Sequence, residues 1–182
     1  MSAGKVGGWE TTDVGSDHVK FVRPYLKRNL PNLFPEFVSG GFDIVAAKIQ
    51  IVSGYKLLLD IKSEKSSFLV QLLLHVDVTK KTSLREITKP DDAEVIPNGY
   101  EWQDVSKFTP ADLAHAEGIL RKNIEYQIEP DGKVLVYRTI VENNLNKTHI
   151  IFRDGIATLF SAVISKNPAN NEENMVSIYQ IS

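Results

Sequence analysis

Apolar residues recur at Val19, Val22, Leu26 and Leu30, the three-and-four spacing of a helix resting one face on something apolar. Ser16-Asp17 opens that helix. Pro24 falls inside it and should bend it or free one carbonyl, and Pro31 and Pro35 are expected to close it. Beyond Gly40-Gly41 the pattern changes to extended runs rich in Val, Ile and Leu. These are Phe42 to Gln50, Tyr55 to Lys62, Phe68 to Val78 and a shorter Leu84 to Thr88. Ile51-Val52-Ser53-Gly54, Ser63 to Ser67 and Thr79-Lys80-Lys81-Thr82 read as the connections. The order predicted is one helix, then four strands joined by short turns.

The second half repeats that order after a polar, proline-containing break at Lys89 to Glu94, with Pro97-Asn98-Gly99 just beyond. Gly99-Tyr100-Glu101-Trp102 echoes the Gly7-Gly8-Trp9 at the start. Thr109-Pro110-Ala111-Asp112 has the form of a capping box, with Thr109 as N-cap and Pro110 in the first turn. Leu113, Ala116, Leu120 and Ile124 supply the apolar stripe. Asp131-Gly132 marks a turn. Strands are then expected at Lys133 to Val141, Thr148 to Phe152, Ile156 to Ile164 and Met175 to Ile181, with turns at Glu142-Asn143-Asn144 and Arg153-Asp154-Gly155. Turn-length spacing favours antiparallel hairpins over crossover units. The expected fold class is α+β, in two domains at 1–92 and 97–182, each a helix packed across a curved antiparallel sheet.

Composition removes several classes of function. Lys+Arg 21 against Asp+Glu 23 leaves a net charge of −2, without the basic footprint of a nucleic-acid binder. No apolar run reaches the roughly 18 residues of a membrane helix, so no membrane partner is expected. The absence of cysteine excludes disulfides, thiol catalysis and thiolate metal sites. His18, His75, His115 and His149 lack metal-ligand spacing, and no nucleophile elbow is present, so neither a metal, a cofactor nor a catalytic residue is expected. MSAGKVGGWETT lacks the apolar core of a secretory signal. A cytoplasmic protein is expected, or a secreted one whose signal has been removed, and in that case Asn146-Lys147-Thr148 would be a glycosylation site.

Four features in order make the first half resemble the cystatin family, in its disulfide-free stefin branch: Gly7-Gly8-Trp9, the segment Val22-Arg23-Pro24-Tyr25-Leu26, the loop Gln50-Ile51-Val52-Ser53-Gly54, and the strand pair that follows. The loop fits the family's Gln-x-Val-x-Gly pattern. The second half resembles the family by element order alone, which would make the chain two tandem cystatin-like domains. The resemblance implies a tight-binding inhibitor of papain-like cysteine proteases of the cathepsin L and B type. It would act as a monomer or a domain-swapped dimer. Three segments would form the blocking edge: Gly7 and Gly8; Gln50, Ile51, Val52, Ser53 and Gly54; and the second loop at Thr79, Lys80, Lys81 and Thr82. That second loop departs from the family, having neither Pro-Trp nor Leu-Pro, and so lacks a likely hot-spot anchor. In the second half the segment matching Gln50 to Gly54 reads Thr139-Ile140-Val141-Glu142-Asn143, without the glutamine or the glycine.

Plainer readings stand beside these. Gly7-Gly8-Trp9 can be a chain terminus with a tryptophan tucked on the sheet, Gln50 to Gly54 an ordinary hairpin turn, and Thr79 to Thr82 a solvated one. Trp102 reads as packing. The alternatives for function are a latexin-like inhibitor of metallocarboxypeptidases and a non-inhibitory interaction module on the same fold.

Overall fold

The computed structural model describes residues 7–38, 40–91, 99–122, 133–154 and 158–181. The break at 92–98, the Asp131-Gly132 turn, Gly155, Ile156 and Ile124 lie outside them. The chain divides into two compact units, Met1–Glu94 and Val95–Ser182. It is α+β, with two antiparallel five-stranded sheets and two α-helices.

In the first unit the order is β1 (Trp9–Thr11), α1 (Asp17–Leu33), a 3-10 turn (Pro35–Phe37), β2 (Phe42–Val52), β3 (Gly54–Ser63), β4 (Leu69–Val76) and β5 (Thr82–Thr88). The sheet is a simple meander, β1-β2-β3-β4-β5. Burial alternates strictly along β4 and through most of β3, as it must when one face meets a core and the other meets solvent. Leu57, Leu59, Ile61, Val70, Leu72, Leu74 and Val76 are fully buried, as are Val19, Val22, Leu26 and Leu30 of α1. The helix runs along the inner face. His18 meets the Tyr55 ring edge-on at 4.6 Å at one end, and Phe34 lies 5.2 Å from Phe68 at the other.

Two expectations about this unit are corrected. Pro31 does not close α1, which continues to Leu33. An interior proline costs about 3 kcal/mol through its missing N–H and its ring. Here the last turn is held by tertiary packing: Leu33, Phe34 and Phe37 are buried, and Phe34, Phe37 and Phe68 form one aromatic cluster. The second correction is that β4 stops at Val76 rather than Val78. The Asp77 carboxylate accepts from the amides of Thr79 and Lys81, which diverts the backbone from the ladder.

The second unit has the same order of helix and strands, with its 3-10 turn before the helix instead of after it: β6 (Glu101–Trp102), a 3-10 turn (Val105–Lys107), α2 (Pro110–Arg121), β7 (Lys133–Glu142), β8 (Leu145–Asp154), β9 (Thr158–Lys166) and β10 (Glu173–Ile181). Its sheet order is β10-β9-β8-β7-β6. The capping box is present, since Asp112 N–H donates to Thr109 Oγ1 at 3.1 Å while Asp112 Oδ2 accepts from the Thr109 amide at 2.9 Å. Ala116 packs with Ile150, Phe152, Phe160, Ala162 and Ile164. On the neighbouring register positions lies a buried polar chain. Arg138 Nε donates to His149 Nδ1 at 3.0 Å, and His149 Nε2 lies 3.0 Å from Ser161 Oγ. The Arg138 guanidinium also sits 4.7 Å from the Tyr100 ring and 5.4 Å from the Trp102 ring. Trp102 is therefore a packing residue.

Each sheet carries a bulge in its first long strand, at Val45 in β2 and Leu135 in β7, and another in its last, at Arg85 in β5 and Val176 in β10. The short strands β1 and β6, which the sequence pattern does not predict, each seat a tryptophan against the strand after the helix. Trp9 lies opposite Gln50 and Trp102 opposite Arg138.

Candidate functional site

Of the residues singled out in the sequence, Gly7, Gly8 and the five from Gln50 to Gly54 lie at one end of the first sheet, where Gly54 meets the start of the second loop. The β2–β3 hairpin is as tight as a hairpin can be: Val52 pairs with Gly54 and leaves Ser53 alone at the tip. Gly54 has φ +78, in the left-handed region that residues bearing a Cβ resist. A Cβ there would collide with the Val76 carbonyl oxygen and lie 2.9 Å from Asp77 Cα. The glycine thus lets the first hairpin lie directly against the start of the second loop.

The N-terminal segment is tied to the same hairpin. Gly7 N–H donates to the Ile51 carbonyl at 3.3 Å, and Gln50 Nε2 donates to the Gly7 carbonyl at 2.7 Å. Gly7 has φ +96 with nothing within 4 Å of a would-be Cβ. Its need for glycine is therefore a matter of backbone conformation and not of space. Gln50 of the loop pattern has a structural role: it fastens the first segment to the second.

The second loop is densely hydrogen-bonded for its size. Asp77 Oδ1 accepts from the Thr79 hydroxyl at 2.6 Å and from the amides of Thr79 and Lys81, both at 2.9 Å. The Thr79 hydroxyl and the Lys81 amide hold the Asp77 carboxyl below its ordinary range. Lys80 takes a left-handed φ of 70, and Lys80 and Lys81 are exposed. Thr82 is not part of the loop; it opens β5 and pairs with Val76.

Three residues at this end, Asp77, His75 and Arg85, were missed by sequence reasoning, and Val78 was read as the end of a strand. Asp77 organises the loop, and Val78 is its most exposed apolar residue, at 70%. His75 and Arg85 brace the hairpin tip. Arg85 Nη2 lies 3.2 Å from His75 Nδ1, and His75 Nε2 lies 3.0 Å from the Ser53 carbonyl. With Arg85 donating to Nδ1, the imidazole proton sits on Nε2 and is donated to Ser53. The Asp-x-Thr spacing was a readable turn signal, whereas a contact between residues 22 positions apart left none.

Each of the three segments carries one exposed large apolar side chain: Trp9 at 42%, Ile51 at 40% and Val78 at 70%. The charges around them are mixed: Lys48, Lys56, Lys80 and Lys81 are positive, while Glu10 beside Trp9 and Asp77 beside Val78 are negative. The arrangement presents apolar surface on three braced stretches of backbone. Among the described residues, no three His, Cys, Asp or Glu side chains gather as a metal site, and no helix is long and apolar enough to cross a membrane.

The matching end of the second unit differs. Val45 precedes Gly54 by the same number of residues as Leu135 precedes Asn144, and both Gly54 and Asn144 are left-handed. Gln50 to Gly54 therefore corresponds to Ile140 to Asn144, one residue beyond the match expected from sequence. That hairpin closes through Asn143 and Asn144, with φ 53 and 62, between paired Glu142 and Leu145. Two left-handed residues make an ordinary two-residue hairpin turn, and Lys147 pairs with Glu142 at 2.9 Å. No protein-family model matches the chain, and no curated protein is similar to it in sequence.

Proposed function

We propose that the chain is a tandem cystatin-like inhibitor whose first unit occludes the cleft of papain-like cysteine proteases, and that it is not itself an enzyme. The observation that carries this reading is the convergence of Gly7-Gly8, Gln50 to Gly54 and the Asp77–Lys81 loop, each segment with one exposed apolar side chain. A protease cleft grips extended backbone and apolar side chains. A blocker must supply both while keeping its own peptide bonds out of the reactive pose. The glycines allow close main-chain approach, and Trp9, Ile51 and Val78 supply surface worth about 25 cal/mol per Å² on burial. Val78 takes the anchoring role that a bulkier second-loop residue would otherwise fill.

Preorganisation supports the same reading. The Gln50–Gly7 bond, the His75–Ser53 bond and the Asp77 network fix the three segments before any partner arrives, so little conformational freedom is lost on docking. Papain inhibition by Gly54→Glu, and by a chain lacking residues 1–8, tests the proposal. Both should bind weaker by orders of magnitude. Potency equal to the parent in both would overturn it.

A further inference from the structure

We propose a second, independent site on the first unit: a groove beside α1 that binds an anionic amphiphile, a long-chain carboxylate. The groove has a volume of about 900 Å³, within the range of small-molecule sites. Its lining changes character along its length. Lys20, Arg23 and Lys27 occupy one wall over the first turns of the helix; beyond them Pro31, Val38 and Phe42 offer apolar surface, while Leu30 and Phe37, which also line the groove, are buried. The three cations span about 10 Å of helix axis. None of them makes an ion pair or a side-chain hydrogen bond among the described residues. Val38 is 65% exposed at the apolar end, although a valine gains from being covered.

This gradient selects the ligand. Arg23, a guanidinium able to grip a carboxylate in two places, stands between Lys20 and Lys27, and none of the three has an ion-pair partner among the described residues, which favours an anionic head. The apolar stretch beyond them favours a hydrocarbon body. Glu64 stands at the far end, beside Gly41, and would repel a second negative charge there. A polyanionic chain lying along the groove is thus disfavoured relative to a molecule charged at one end only. The apolar end lies where Phe42 pairs with Ser63, at the opposite end of β2 and β3 from Ser53. The apolar end is therefore remote from the hairpin tip.

The test is the rise in emission of 11-(dansylamino)undecanoic acid on titration with the full chain, followed by displacement with dodecanoate. Saturable binding, displaced by dodecanoate and by dodecanol or dodecyltrimethylammonium only at about tenfold higher concentration, is the expected result. The triple variant Lys20→Glu, Arg23→Glu, Lys27→Glu should weaken binding by about tenfold or more. The single Arg23→Gln and Val38→Asp variants serve if the triple variant does not fold, and each should weaken binding. No saturable rise, equal displacement by the alcohol or the ammonium, or variants that bind like the parent would overturn the proposal. So would displacement by hexaglutamate but not by dodecanoate, which would make the occupant an acidic peptide.

Discussion

Tyr25 shows how one buried polar group writes a pH dependence into the fold. Its phenol is 6% exposed, and burial pushes its pKa up from 10 to about 12, against a smaller opposing contribution from the Leu84 backbone hydrogen bond. Below pH 10 the phenol is protonated in both folded and unfolded chains, and the stabilisation is intact. Above it the unfolded chain releases the proton while the folded chain holds it, so stability drains away as pH rises toward 12. The loss attributable to this residue reaches up to about 2–3 kcal/mol. Urea unfolding of Tyr25→Phe and the parent at pH 8, 10 and 11 measures it, and the variant should lose less stability with rising pH. At the candidate site, His75→Ala removes the donor to the Ser53 carbonyl without opening the core. Its thermal midpoint should stay near that of the parent while the papain complex dissociates about tenfold faster. His75→Gln, whose amide can still donate, should recover part of that loss. Equal dissociation rates for all three would show that the brace is irrelevant.

At the scale of elements, α2 offers the cleanest test of local design. Thr109 and Asp112 exchange hydrogen bonds across the first turn. Thr109→Ala should cost about 1 kcal/mol in chemical denaturation, and Thr109→Ser much less. This capping box was legible in the sequence because it depends on residues three apart, as were the apolar stripe of α1 and the apolar runs of β3 and β4. What was not legible depended on distant partners. Pro31 reads as a terminator, yet the Phe34–Phe37–Phe68 cluster carries α1 past it. Val78 reads as strand, yet the Asp77 side chain ends the strand before it. The glycines and the Gln50 to Gly54 loop of the candidate site were readable as types. The reason for Gly54, contact with Val76 and Asp77 of another hairpin, was not.

At the scale of the whole molecule, one element order occurs twice, down to the bulged strands, but the matching hairpins differ, although Val141, which corresponds to Ile51, is also exposed at 74%. The first unit ends its hairpin on Gly54 against a second loop. The second ends on Asn143-Asn144, flanked by a Glu142–Lys147 ion pair, and offers no glycine approach. The proposed inhibition therefore belongs to the first unit alone. It is tested most directly by titrating active-site-counted papain and cathepsin L with the purified full chain and following residual activity against molar ratio. A linear loss that ends at one chain per enzyme is expected. Full activity at micromolar excess of the chain would contradict the proposed inhibition, and an end point at one chain per two enzymes would contradict a silent second unit.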